Sequence, residues 1–365
     1  MNTLRINLPA LCAAVLLVGC GKFHRQGLEG ARLQQAEGAF IGSGPRLSPQ
    51  LEDKILSLNP TNVTAQDVRD VLSHAPAPRV INIHGGVKRV IERMVSFSEF
   101  LIGMGYPAVS LTNPSDGTYS FSCYESSEKI AGMIAWFYER EGFRPMLVGH
   151  SQGGMQVVKV LDKFSGKSSS TLHVWNPLTW EREERCEIVD PLTGRTLLVA
   201  ELKLPYATSV GAGGITRILP NQWDMTFRLH SIPNSVEEFT GFCKRFDLSG
   251  GDFLGYGPEN YYKATGTAVV RNVWLPTEYK HGSIPDTKHL LNDPKMVDWI
   301  NRYRPSNQRV STPKLDEHFD GDSLHIIWAA DVWFSIKKHW VLELQRNIYA
   351  RRAIAAHSVT KIHGY

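Results

Sequence analysis

The chain has 365 residues, 42% of them hydrophobic and 21% charged, with a formal net charge of +4. That is ordinary globular composition, over a length that supports a sizeable core as one large domain or two small ones. No basic run is interleaved with aromatic residues, which argues against a nucleic-acid partner.

The first residues set the expected address. Arg5 is the one basic side chain before an apolar stretch, Leu8 to Val18, that is too short to span a bilayer. The stretch ends Leu17-Val18-Gly19-Cys20, which resembles a bacterial lipobox, the motif whose cysteine becomes the lipidated first residue. The resemblance implies a signal peptide over 1–19 and acyl chains on Cys20 that anchor a domain without a transmembrane helix. With Gly21 rather than Asp next, it also implies sorting to the outer membrane, facing the periplasm or the cell surface. Residues 20–45 hold Gly and Gln without a clear period and read as a tether. Cys12 would leave with the signal and Cys20 would carry lipid. Cys123, Cys186 and Cys243 then remain in an oxidising compartment, enough for one disulfide and one free thiol without fixing the pair.

After the tether, Leu47 to Leu58 reads as a short helix, and Thr64 with Asp67 three residues on caps another that runs to about Ser73. Arg79-Val80-Ile81-Asn82-Ile83-His84-Gly85-Gly86 is a buried strand ending in His-Gly-Gly. Glu92 to Met104 is an amphipathic helix stopped by Gly105-Tyr106-Pro107, and Ala108 to Leu111 is expected as a short strand. Ser126 caps a helix over Glu128 to Glu141 that Gly142 closes. Arg144 to Val148 is the next strand, and Thr171 to Asn176 the one after. Strands alternating with helices at this pace predict a parallel sheet with right-handed crossovers. From about 177 to 235 the alternation fails, and such a long irregular insertion suggests a lid or subdomain. Its apolar residues Leu197, Leu198, Val199, Leu204, Ile215, Ile218 and Leu219 would line an acyl pocket or bury the insertion on the body. Glu237 to Phe246 and Ala268 to Leu275 read as the last two strands. Asp293-Pro294 starts a helix through Ile300, Arg302 to His318 is polar and loop-like, and Ser323 to about Ala356 is a long aromatic-rich helix. On it Ile326, Ala330, Trp333, Trp340, Leu344 and Ile348 share a broad face, expected to pack on the body more than on a membrane.

The stretch that organises the chain is Val148-Gly149-His150-Ser151-Gln152-Gly153-Gly154, between an apolar strand and the helical run Met155 to Leu161. A serine presented at a sharp turn needs neighbours two places away that lack side chains. The helix that follows points its N-terminus at the place where negative charge would develop.

This Gly-x-Ser-x-Gly strand–turn–helix, with the His-Gly-Gly strand end, resembles the nucleophile elbow and oxyanion strand of the α/β-hydrolase superfamily, in its lipase and esterase branch. The resemblance covers about Arg79 to Arg304. It implies an α/β-hydrolase fold with a mostly parallel central sheet, a cap at about 177–235 inside a domain of 46–304, and a linker with an extra C-terminal helix over 305–365. The strands would match the superfamily's third onward, with the first two missing before Arg79. It further implies Ser151 as nucleophile, activated by a histidine that a carboxylate orients, in the chain order Ser, acid, His. Asp247, just after a strand, is the favoured acid, with Asp252 close behind and Asp224 and Glu238 fitting less well. His281 and His289 both follow the last strand and both stay candidates for the base. The oxyanion N–H groups would be those of Gln152 and of Gly85 or Gly86, with His84 supporting that loop. No metal cluster, P-loop or dinucleotide fingerprint is present, and Gly211-Ala212-Gly213-Gly214 lacks a following helix pattern, so no cofactor is expected. The expected reaction is hydrolysis of carboxylic esters, chiefly lipid or phospholipid esters, through an acyl-enzyme. The rivals are an acyltransferase, thioesterase or amidase on the same triad, and a non-catalytic binding lipoprotein. The oligomeric state is not legible.

Overall fold

The computed structural model describes residues 47–166, 171–212, 225, 228–252, 261–305 and 321–362. The proposed signal peptide, Cys20 and the tether lie outside the described residues, as do Ile215, Ile218, Leu219, Asp224 and 306–320. Five strands form one sheet in chain order, and every pairing in it is parallel: β1 (Val80–Ile83), β2 (Met146–His150), β3 (Leu204–Val210), β4 (Val236–Lys244) and β5 (Val269–Leu275). The class is α/β. Among the described residues no sheet strand precedes β1, so the sheet begins late.

Helices cover both faces. They are α1 (Pro49–Ser57), α2 (Ala65–Asp70), α3 (Lys88–Gly103), α4 (Ser127–Glu141), α5 (Gln152–Lys163), α6 (Pro294–Arg302) and α7 (Ile326–Ile362). Their ends follow local chemistry. Thr64 and Asp67 form a reciprocal capping box at α2, Ser126 accepts from the Lys129 N–H at α4, and Gly142 closes α4 at φ 77°. Alternate strand residues feed two cores. Ile81, Ile83, Leu147, Ala207 and Phe239 join α4 and α5. Val80, Met146, Val148, Tyr206, Val210 and Phe242 join α3, α6 and α7.

The C-terminal helix is thus part of the domain's own core. Trp328, Trp333 and Trp340 have no exposed surface, as the core-packing reading expects. Ion pairs tie α7 to the strands. Asp331 accepts from the Arg271 guanidinium of β5, Glu343 holds the Arg144 side chain and accepts its backbone N–H at 2.9 Å, and Lys338 reaches Glu238 of β4. Among the described residues no helix is long and apolar enough to cross a membrane.

Several expectations are corrected. Ala108–Ser110 is a 3₁₀ turn entered from Pro107, and among the described residues a single parallel bridge, Ile83 to Phe121, flanks β1 on that side. Within 171–176 only Trp175–Asn176 is extended, and it pairs with Glu181–Arg182 off the main sheet. This segment lies against Gly132 of α4, where a Cβ would fall 2.4 Å from the His173 carbonyl, and Lys129 sits over the Trp175 and Trp180 rings. The expected cap is not one insertion, because β3 runs through it fully buried. Its polar residues are satisfied inside: Thr208 donates to the Thr240 carbonyl at 2.8 Å, and Ser209 meets the Tyr262 hydroxyl at 3.0 Å. Leu204 and Val199 are core residues, while Leu198 is exposed. Cys123, Cys186 and Cys243 are all free thiols, so the one disulfide that three cysteines would allow is not formed among them. Burial pushes the Cys123 and Cys243 thiols up to about 12.

Candidate active site

Five parallel strands end at one edge, and each delivers one part there. β2 delivers Ser151, which follows His150 with φ 54° and ψ −121°, a left-handed backbone that a side chain adopts only under strain of about 1–3 kcal/mol. The turn is tight enough to exclude side chains on both sides. A Cβ on Gly149 would lie 2.4 Å from the Gly153 carbonyl oxygen, and one on Gly153 would lie 2.2 Å from that of Ile83. The Ser151 N–H donates to the Val210 carbonyl at 2.8 Å, pinning the elbow to β3.

β5 leads through a turn to His281, whose Nε2 lies 2.9 Å from Ser151 Oγ. β4 leads to Asp247, whose Oδ2 lies 2.9 Å from His281 Nδ1. Asp247 also accepts the Gly250 N–H at 2.9 Å on its other oxygen. Burial works against its ionisation, but the hydrogen bond and charge of His281, with the Gly250 N–H, outweigh it and hold the carboxyl below the usual range. An ionised Asp247 accepts only, so Nδ1 carries the ring proton and Nε2 presents a lone pair to the serine hydroxyl. This is a path along which the Ser151 proton can leave. β3 contributes the space: Gly211, at φ 59°, leaves room where a Cβ would meet the His281 ring at 2.9 Å.

No family model, curated protein or solved structure matches this chain.

β1 supplies the loop beside Ser151. A Cβ on Gly85 would lie 3.1 Å from Ser151 Cβ, and one on Gly86 would lie 2.3 Å from the Gln152 side-chain oxygen. Both carbonyls of this loop are held from behind. His84 Nδ1 donates to the Gly85 carbonyl at 2.8 Å, and the Tyr124 hydroxyl donates to the Gly86 carbonyl at 2.6 Å. In planar trans peptides this fixes the N–H groups of Gly86 and Val87 on the opposite side. The Gln152 N–H is at the first position of α5, where helix geometry supplies no acceptor. Burial lowers the pKa of His84, against the bond to Gly85, which keeps the ring a neutral support.

The structure separates the two histidines that the sequence leaves open. His289 sits in the 3₁₀ turn Lys288–Asn292, and its Nε2 is buried with no hydrogen-bond partner. Neither Ser151 nor Asp247 bonds to it, because the chain turns back at His281–Ser283 and His289 lies beyond that turn. Asp252 is buried behind Asp247: it accepts the Phe246 N–H at 3.1 Å, and its own N–H donates to the Asp247 carbonyl at 2.9 Å. Glu238 lies at the far side of the sheet, with Lys338 and His339. Tyr124 is not among the sequence candidates, and nothing in its local pattern marks it. Gly211 figures in the sequence only within Gly211-Ala212-Gly213-Gly214, a run without the helix pattern of a phosphate motif. The hollow lined by Phe164, Glu201, Lys203 and Asn234 touches none of these groups and lies at the amino ends of β3 and β4.

Proposed function

We propose that this chain is a serine hydrolase of the α/β-hydrolase kind, cleaving carboxylic esters through an acyl-enzyme on Ser151. The observation that carries the reading is the line Ser151 Oγ, His281, Asp247, with two distances of 2.9 Å, at the carboxyl edge of a parallel sheet. The chain order Ser, acid, His, the strained elbow and the His-Gly-Gly loop beside it support the same assignment. In this reading Ser151 Oγ attacks the ester carbonyl carbon while His281 Nε2 takes its proton. The N–H groups of Gln152 and of Gly85 or Gly86 receive the oxyanion. The imidazolium, stabilised by Asp247, then protonates the departing alkoxide. Water deprotonated by His281 attacks the acyl-serine and releases the acid, restoring the enzyme.

The substrate class follows from the expected address. A domain tethered through lipidated Cys20 to an outer membrane meets lipid and phospholipid esters first. Replacing Cys20 with Ser should release the protein from the detergent phase while activity on soluble esters persists, and unchanged partitioning would overturn the anchor.

The central test is Ser151→Ala. Fluorophosphonate labelling should vanish and ester turnover should fall on the order of a million-fold, with the melting temperature held. A well-folded variant that keeps substantial hydrolysis would remove Ser151 from the chemistry. Product analysis with added alcohols separates hydrolysis from acyl transfer.

A further inference from the structure

His150, the residue just before Ser151, is fully buried at the end of β2 and is not used by the reaction above. Its Nε2 lies 2.8 Å from the backbone carbonyl of His281. A carbonyl only accepts, so Nε2 must carry the proton. Nδ1 is buried without a partner, beside Gly85, where a Cβ would lie 3.2 Å away. The His150 and His281 rings are 5.0 Å apart between centroids, tilted by 44°.

A buried imidazole with one orphaned nitrogen is a costly way to fill a strand end, since an apolar residue would fill it without stranding a polar atom. Its one hydrogen bond goes to the residue whose side chain meets Ser151. We propose that His150 is a positioning residue, holding the main chain of His281 so that its ring stays within reach of Ser151 Oγ. The inference rests on the reading of Ser151, His281 and Asp247 as a catalytic line.

The geometry closes a short circuit. Two consecutive residues, the last of β2 and the elbow serine after it, hold His281 at both ends: Ser151 at the ring, 2.9 Å away, and His150 at the backbone, 2.8 Å away. Asp247 holds the ring's other nitrogen. Any displacement of the base relative to the nucleophile must therefore stretch one of three hydrogen bonds. The charged and titratable groups facing His150 are His281 and Asp247 from the neighbouring loops and Arg93 from α3. Burial, then His281 and Arg93, push its pKa down to about 3, so the ring stays neutral through the working range. A neutral His150 places no positive charge beside a base that must itself become positive.

The test compares His150→Phe, which keeps a planar ring and removes the donor, with His150→Gln, which keeps an N–H of similar reach. Wild-type labelling at Ser151 by a fluorophosphonate is recorded first, and a wild type that fails to label refutes the parent reading instead. With a labelled wild type, His150→Phe should lower kcat on a soluble p-nitrophenyl ester about 10- to 100-fold with KM nearly unchanged, the scale expected from a small misplacement of the base. His150→Gln should recover most of that loss. Equal impairment of both variants, or a Phe variant with wild-type kcat, overturns the proposal. A measurement on the wild type guards against misfolded variants: ¹⁵N spectra of the histidine rings should show His150 neutral with its proton on Nε2 from pH 5 to 9. A proton on Nδ1 would leave nothing to donate to His281 and would equally overturn the proposal.

Discussion

At the carboxyl edge of the sheet, Ser151 and Phe246 take left-handed backbone angles of 54° and 56°, glycines stand where any Cβ would collide, and a buried imidazole nitrogen has no partner. Under α7 the emphasis is on filling and pairing. Three tryptophans fill the core completely, and the buried carboxylates Asp331 and Glu343 are each met by an arginine fork. Lys337, buried without a carboxylate, is capped by the Val63 carbonyl at 2.8 Å. Both regions strand a buried polar atom, as Trp328 Nε1 and His339 Nδ1 show on α7, but the edge concentrates backbone strain at its reacting residue and α7 pairs its buried carboxylates. Strain at a site persists only where the surrounding structure over-determines it. The α7 face contributes to that, since it packs on the same β2, β3, β4 and β5 whose ends carry the site. Changes at the edge should therefore remove activity and spare stability, and changes under α7 should do the opposite.

The largest expected effect is at the edge. His281→Asn should lower turnover on the order of a million-fold, as loss of the base does in other triads, with the melting temperature little changed. His289→Asn should leave turnover close to wild type. Parallel kinetics and thermal unfolding of the two variants check this. A dead His289 variant beside an active His281 variant would mean that the site rearranges around the other imidazole.

How much of this was legible in the sequence differs between the same two regions. The elbow was plain, because Gly149, Ser151 and Gly153 are local requirements of one turn. Asp247 could be favoured, because it directly follows a strand. His281 and His289 could not be separated, since the choice depends on how the loop after Leu275 folds back, with turns such as Tyr279 N–H to the Pro276 carbonyl. The helix ends at Thr64, Ser126, Gly142 and Pro294 were readable from capping chemistry. β3 was missed. Leu204–Val210 is buried on both faces and so shows no alternation, and its Thr208 and Ser209 look like loop residues until their partners on β4 and at Tyr262 are known. The ion pairs under α7 join residues 60 to 199 positions apart, beyond the reach of any periodicity.

The next effect sharpens the other side of the comparison. Trp333 is fully buried and donates its indole N–H to Asn301 at 3.1 Å. Trp333→Ala should cost about 3–5 kcal/mol, seen as a clear drop in melting temperature, while the fraction that remains folded keeps kcat near wild type. A Trp333→Ala protein with unchanged stability would mean that α7 is dispensable. A folded one with greatly reduced kcat would mean that the two regions are not separable.

The smallest effect concerns acid. Glu238, on β4, accepts from Lys338 and from His339 Nε2 at 3.2 Å. Burial raises its pKa, but His339 and Lys338 outweigh that and bring it from 4.5 down to about 2. A carboxylate with a depressed folded value contributes stability that is fully present above pH 4.5 and is lost as pH falls from there through about 2. At about 1.4 kcal/mol per unit, discounted for partial solvent access, the contribution is on the order of 2 kcal/mol. Other groups move in acid as well: burial holds His150 at about 3 and His325 at about 4, so stability begins to fall below pH 6.5 whatever Glu238 does. The informative quantity is therefore the difference between wild type and Glu238→Gln. In urea titrations that difference should shrink towards zero between about pH 4.5 and 2. A difference that stays constant down to pH 2 would show that Glu238 contributes through packing and not through its charge.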